Sequence, residues 1–382
     1  MAKRVAICAV AQTPFVSNLW YKRFQEMAFD VVEPILKQTG VDFNEETGID
    51  TVVTCSDDVF DARTISDNAM TDSVGAHFRC EEKIAMDGIN AIPYGLACIR
   101  SGHTDLVLIV GHCKESQAES RNMCTNLAFD PFYYRPLGLD FFNVAALQAR
   151  AYMSRSGVTD AHLARVVLNS RRNAARNPLA NAREPVTLEQ VLNSPMLCDP
   201  IRELHAYPVS DGAIAMLLAS EERAAEFTDR PVWITGFGNC MDSYFLGDKD
   251  LAGNFSLQRA AERAYRMAGV KDPRKDFDLI EVNDCFAYQL PMWLEGLGIC
   301  EEGKGGAWLD QGGLESRPVN TSGGMLAGNP VMIGGLARAA EAVLQLRGEA
   351  GARQVQGARR ALAHGTTGAA GQFHSVLILE KA

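Results

Sequence analysis

Asn320-Thr321-Ser322-Gly323-Gly324-Met325-Leu326-Ala327-Gly328-Asn329-Pro330 is a polar, glycine-rich run that leads into a helical pattern over 333–346. Glycines let backbone N–H groups come close to a ligand, and a helix N-terminus favours negative charge. The same run also reads as a plain loop and cap, although it offers Ser322 and Asn329 as well as glycines. Upstream, Glu281-Val282-Asn283-Asp284-Cys285-Phe286-Ala287 continues directly from the apolar run DLIEV. A thiol with amide and acid groups just past a strand end stands where α/β sheets place their sites. The alternative is a helix start, capped by Asn283 or Asp284, with Cys285 as a small hydrophobe. Downstream, Ala363-His364-Gly365-Thr366-Thr367-Gly368 falls between the short strand-like run ARRALA and the longer HSVLILE. Small neighbours open the His364 imidazole, titratable near neutrality, to a substrate. A lone histidine is as readily structural. Ser210-Asp211-Gly212-Ala213 reads as a turn before an apolar strand. His205 and Tyr207 precede it and read as loop residues, with a pocket lining as the alternative.

Working outward, strand-length apolar runs recur as RVAICAV, DTVVTC, DLVLIVG, VWITGFG, DLIEV and HSVLILE. Helical patterns at 23–38, 89–101, 143–156, 256–268 and 333–346 separate them. This alternation predicts an α/β fold with sheets buried on both faces. The opening VAICAVAQTPF has a counterpart in VWITGFGNCMD near Val232, and SGHTDLVLIV (101–110) has one in GVKDPRKDFDLIEV (269–282). A repeat of about 200 residues fits a duplicated domain and not a solenoid. The expected halves are residues 1–228 and 229–382. Residues 114–205 interrupt the first with an Arg-, Asn- and aromatic-rich insert, which reads as a functional cap or loop domain.

Composition narrows the function. The 382 residues are 47% apolar and 22% charged, which excludes a disordered, collagenous or coiled-coil chain. A net charge of −10 argues against a nucleic-acid binder. No apolar stretch reaches the roughly 18 residues of a membrane span. Lys3-Arg4 followed by VAICAVA is shaped like a short signal peptide but reads as a first buried strand. The last residues, LILEKA, are no peroxisomal address. Ten cysteines without a C-x-x-C pair or metal spacing predict reduced thiols in a cytoplasmic chain that holds no metal.

Taken together, these segments resemble the thiolase superfamily, in particular the sterol-carrier-protein-type thiolases and their bacterial and archaeal relatives. NDCFA at 283–287 resembles the family's Asn-Glu-Ala-Phe or His-Asp-Cys-Phe motif, and NTSGGMLAGNP its Asn-x-Ser-Gly-Gly…Gly-His-Pro motif. AHGTTG stands where the family has Cys-x-Gly-Gly, and PVSDGAIAM at 208–216 resembles the strand entry before the second half. The resemblance covers nearly the whole chain. It implies two thiolase-type halves in five αβαβα layers, normally dimeric. The departures are chemical. The position of the usual nucleophilic Cys falls on Ala85, the motif His is Asn329, and the C-terminal motif Cys is replaced by His364. Cys80, Cys98 and Cys113 lie near the vacant position in sequence, and Cys285 is the thiol left within a site motif.

Thiolysis needs an acyl-holding thiolate, a base and oxyanion donors. The resemblance implies Cys285 as acyl acceptor or proton donor, His364 as base, and Asn283 and Asn329 as donors to a thioester oxygen. Ser322, Gly323, Gly324 and Thr366 are the expected substrate-binding residues. The implied activity is acyl transfer on a 3-oxoacyl-CoA, with coenzyme A as co-substrate and no permanently bound cofactor. A CoA-thioester aldolase of the steroid side-chain type is the first alternative, and a non-catalytic scaffold the second. FDPFYYRPLGLDFF at 129–142 suits a bulky or aryl acyl group of the benzoylsuccinyl-CoA kind, or else a cap core or dimer interface. A homodimer is implied, and a small partner subunit with an OB domain and a zinc ribbon is compatible with it.

Overall fold

The computed structural model describes residues 3–63 and 65–382. Its strands are β1 (Val5–Gln12), β2 (Thr51–Cys55), β3 (Cys80–Ile84), β4 (Leu106–Lys114), β5 (Met196–Cys198), β6 (Ile201–Arg202), β7 (Asp211–Ser220), β8 (Val232–Met241), β9 (Leu279–Glu281), β10 (Arg360–Thr367) and β11 (Phe373–Lys381). The helices of ten residues or more are α1 (Phe24–Thr39), α2 (Ala91–Arg100), α3 (Phe141–Ser156), α4 (Asp160–Ala174), α5 (Phe255–Ala268) and α6 (Gly334–Arg347). None is long and apolar enough to cross a membrane. The strand ladder runs β3-β2-β4-β7-β1-β8-β11-β10-β9, with β5 and β6 paired apart.

Two half-sheets meet in that ladder through a short joint. β1 and β8 share only Ala6↔Trp233 and Ile7↔Val232, whereas β1 pairs with β7 from Val5 to Gln12. Each half is covered on both sides. Phe24, Met27, Ala28, Val31, Val32 and Ile35 make one buried stripe on α1, which packs on β1, β4 and β7. α5 covers β8 and β11 on the far side. Between the halves, α2 packs on β2, β4 and β7, while α6 packs on β10 and its Leu336, with Ile333 just before the helix, lies against Gly111 of β4. Five layers result. Every residue of β4 and β7 is buried, which suits strands with helices on both faces.

The expected helices form at close to the expected bounds, since sustained apolar periodicity is the strongest local signal. α1 ends where Gly40 turns left-handed at φ 69°. α3 begins at Phe141 because Asp140 and Asn143 close a capping box. Two strands begin or end differently from expectation. β10 runs through to Thr367, paired with β11 along its whole length, so His364 and Thr366 lie within a strand. Asp211, expected in a turn, already belongs to β7. Its carboxylate accepts the Leu19 N–H, the Ser116 N–H and the Ser116 hydroxyl, which explains a charge at a buried strand start.

A candidate active site at the strand ends

β9 is three residues long and fully buried, and the segment after it is held by side chains. The Val282 N–H donates to Asn320 Oδ1 (2.6 Å) and Asn320 Nδ2 donates back to the Val282 carbonyl (3.0 Å), so one asparagine replaces a strand neighbour. The Cys285 N–H donates to Asn283 Oδ1 (3.3 Å), an Asx turn that leaves Nδ2 as the amide's donor. The far side is pinned by the Tyr207 N–H on the Cys285 carbonyl (2.8 Å) and the Ala287 N–H on the His205 carbonyl (2.8 Å).

Asn283, Cys285 and Thr366 line one cavity of about 160 Å³, together with Asp57 and Tyr207. Its remaining wall is largely apolar, including Phe60, Phe141, Phe286 and Tyr288. A second cavity of about 610 Å³, with Arg121 and Arg171 on its wall, shares Tyr207 with the first. Phe141, from the aromatic insert, faces the smaller cavity, while Phe132, Tyr133 and Leu137 are exposed. Burial pushes the Cys285 thiol up to about 12, so it stays protonated at neutral pH. The Thr366 hydroxyl is buried without a hydrogen-bond partner among the described residues.

His364 occupies a different place from the one expected of a base. It is fully buried, its Nδ1 accepts the Asn283 N–H (3.4 Å) and its Nε2 lies 3.0 Å from His374 Nδ1. Burial, then His374 and Arg338, hold it well below the ordinary imidazole value. His374 is likewise pushed down to about 3, first by burial and then by Lys249. Both ring nitrogens of His364 are engaged within the protein, so the imidazole positions Asn283 and does not face the cavity itself.

The glycine-rich loop also turns inward. The Ser322 hydroxyl donates to Glu281 Oε2 (2.6 Å), its N–H donates to Glu281 Oε1 (3.2 Å), and its Oγ accepts the Gly324 N–H (3.1 Å). Gly323 gives its carbonyl to the Ser170 hydroxyl. Gly324 has φ +71°, and an added Cβ would lie 2.5 Å from Asp284 Oδ1, so glycine is required there. Asp284 accepts the Met325 N–H (2.6 Å), and burial pushes its carboxyl up to about 7. Asn329 is buried and its Nδ2 has no partner among the described residues.

Around the vacant position, Ala85 is exposed just past β3. Two residues on, Asp87 is fully buried; its carboxylate accepts from Arg338 Nη2 (2.9 Å) and the Ile89 N–H, and its own N–H donates to the Thr367 hydroxyl oxygen (2.8 Å). Arg338 is equally buried, and its Nε and Nη1 have no partner among the described residues. Gly335 permits the contact, because a Cβ there would fall 1.7 Å from Asp87 Oδ1. An ion pair thus stands beside the position where a nucleophile was expected.

Sequence reasoning passed over Asp57, Asp87 and Arg338 and left Tyr207 as a loop residue. Asp57 carried a signal, two residues past the strand TVVTC, and Arg338 carried another, a charge inside an alanine-rich helix. For metal ions, Asp50, Cys80 and His103 bring donor atoms within 4.8 Å of one another, but all three are exposed and Cys80 begins β3 at the end away from Ala85.

Residues 239–381 match the family described as thiolase C-terminal domain-like. An acetyl-CoA acetyltransferase of Methanothermobacter thermautotrophicus is 34% identical over 378 residues, 96% of this chain and 97% of that one. Among solved structures, the Ltp2-ChsH2(DUF35) aldolase superposes with a TM-score of 0.82 at 24% identity, over 99% of this chain and 97% of that chain. Human mitochondrial 3-ketoacyl-CoA thiolase superposes at 0.77 with 19% identity, over all of both chains. These two likenesses concern the fold alone.

Proposed function

The chain belongs to the thiolase superfamily, and from that premise we propose that it is an acyl-CoA acyltransferase, cleaving or forming the C2–C3 bond of a 3-oxoacyl-CoA with coenzyme A. One observation carries this reading: a thiol, an amide and an unpartnered hydroxyl share the wall of a cavity that is otherwise apolar. The apolar part suits a bulky or aryl acyl group. The larger cavity behind Tyr207, with Arg121 and Arg171, suits the rest of the CoA thioester.

A thiol held near 12 is a poor nucleophile, so in this reading the CoA sulfur itself attacks C3. The S–C3 bond forms, the C2–C3 bond breaks, and its electron pair passes into a thioester enolate. Asn283, steadied by His364, and Thr366 donate hydrogen bonds to the enolate oxygen. The proton lost by the thiol ends on C2, which balances the reaction. Cys285, as a neutral thiol, packs beside the reacting carbons.

The test is incubation with 3-oxo-3-phenylpropanoyl-CoA and free CoA, followed by mass analysis of products and protein. Benzoyl-CoA plus acetyl-CoA with no adduct on Cys285 is the expected result. An acyl adduct on Cys285 keeps the reaction and changes the route. The missing thiol at position 85 favours one second reading, aldol cleavage of a 3-hydroxyacyl-CoA, for which aldehyde is the diagnostic product. The reading includes a homodimer and a small partner subunit carrying an OB domain and a zinc ribbon, so co-purifying protein belongs in the assay.

A further inference from the structure

Two polar groups of the small cavity remain without a task. Tyr207 is 2% exposed, and its hydroxyl is buried with no hydrogen-bond partner among the described residues. The ring is held firmly: the Arg121 guanidinium lies 4.3 Å over it, fixed in turn by Glu115 at 2.7 Å, and Phe286 meets it edge-on at 6.0 Å. A buried hydroxyl kept rigid and unsatisfied is a group whose partner arrives from outside the chain. Asp57 stands two residues past the C-terminal end of β2, a parallel strand, and among the described residues its carboxylate accepts only the Val59 N–H of its own turn at 3.3 Å. Neighbouring Asp58 takes the Lys83 ion pair, leaving Asp57 without one among the described residues. Phe60, Phe141 and Ala145 share its cavity wall.

We propose that Asp57 is the proton-transfer residue of this site and that Tyr207 is the hydrogen-bond donor to the C3 oxygen. This assignment rests on the acyl-transfer reading. The Asp57 carboxylate takes the proton of the CoA thiol as the S–C3 bond forms, and the Tyr207 hydroxyl donates to the oxyanion of the tetrahedral intermediate. When C2–C3 breaks, the protonated Asp57 returns that proton to C2 of the leaving enolate, so nothing is gained or lost. Burial raises the Asp57 carboxyl above its ordinary value, which brings its proton closer to the pH at which it must be both taken and given. Asp58 and Lys83 act on it from its own side, and Cys285, Tyr207 and Tyr288 are the titratable groups sharing its cavity.

The experiment separates proton transfer from bond cleavage by following deuterium exchange at C2 of 3-phenylpropanoyl-CoA in D₂O, beside cleavage of the 3-oxo substrate. The wild type is expected to do both. Asp57→Asn should lower both rates by about 10²–10⁴-fold and abolish the acid limb of the pH profile, with partial return in Asp57→Glu. Tyr207→Phe should lower kcat for cleavage by about 10²–10³-fold while leaving that limb in place. Unfolding midpoints equal to wild type guard against loss of fold. Exchange without cleavage by the wild type removes the acyl-transfer reading and leaves Asp57 its role. Cleavage that survives Asp57→Asn with an unchanged acid limb overturns the inference and leaves the reading standing. A wild type that does neither removes both.

Discussion

The glycine-rich loop at 320–330 and the few polar groups on the otherwise apolar wall of the small cavity are both buried and both set at strand ends, yet their polar atoms are treated in opposite ways. In the loop, Ser322 and Thr321 are bonded to Glu281. The neighbouring Glu341 is held by Arg353 (2.8 Å) and Gln345 (2.8 Å). In the cavity, the Tyr207 and Thr366 hydroxyls have no partner among the described residues. A satisfied polar network rigidifies a fold, whereas an unsatisfied buried group is held against a cost and needs another explanation. The loop that looks most like a ligand cradle in sequence is thus tied into the architecture through its own polar atoms. In the proposed reaction the chemistry falls to residues with less conspicuous neighbours, and at the loop's end Asn329 Nδ2 has no partner among the described residues.

The Asp87–Arg338 pair stands between these two cases and offers the largest effect, because Arg338 is paired through one nitrogen and has no partner for the other two among the described residues. Arg338→Met should strand a buried carboxylate and cost about 3–5 kcal/mol in urea unfolding. A variant that unfolds like wild type yet loses turnover would move this pair from the loop's category into the cavity's. Next in size, Ser322→Ala should cost about 1–3 kcal/mol by leaving Glu281 and the Gly324 N–H short of a partner, with KM for the thioester unmoved. A raised KM at unchanged stability would break the comparison, since it would make the loop a binding element. The smallest effect is a pH signature at the junction of the two regions. The Asp284 carboxyl is raised from an ordinary 3.8 to about 7, so the folded state holds its proton more tightly than the unfolded chain. Its contribution to stability is full at low pH and is lost as pH rises through 7. Asp284→Asn keeps an oxygen for the Met325 N–H but removes the titration. Relative to wild type it should therefore gain stability between pH 5 and pH 8, measured as the difference in urea midpoint.

The fold was largely legible because it rests on periodicity, which is local. The stripe on α1 and the continuous apolar runs of β4 and β7 announce buried layers within windows of about ten residues. The site was legible only in part. Cys285 and Asn283 stand beside a short strand that could be read, and the cavity includes them. His364 could not be placed, since its surroundings depend on His374 across the sheet and on the Asn283 backbone 81 residues away. The partner of Arg338 is 251 residues distant, and no local pattern reports such a pairing. Asp57 was visible as a strand-end acid, but only the packing of Phe60 and Phe141 turns it into a cavity group.

The narrow joint in the sheet also bears on the order in which the molecule can be assembled. Once the ribosome has released Ser220, β1, β2, β3, β4 and β7 are all available to one another, and the first half can settle as a unit. β8 then takes its place on β1 through two residue pairs only, while its other edge waits for β11, which spans Phe373–Lys381 and comes last of all the strands. The second half closes late and through contacts far apart in sequence, the slowest kind to form. Until β11 inserts between β8 and β10, the nascent chain presents two bare apolar strand edges to the cell.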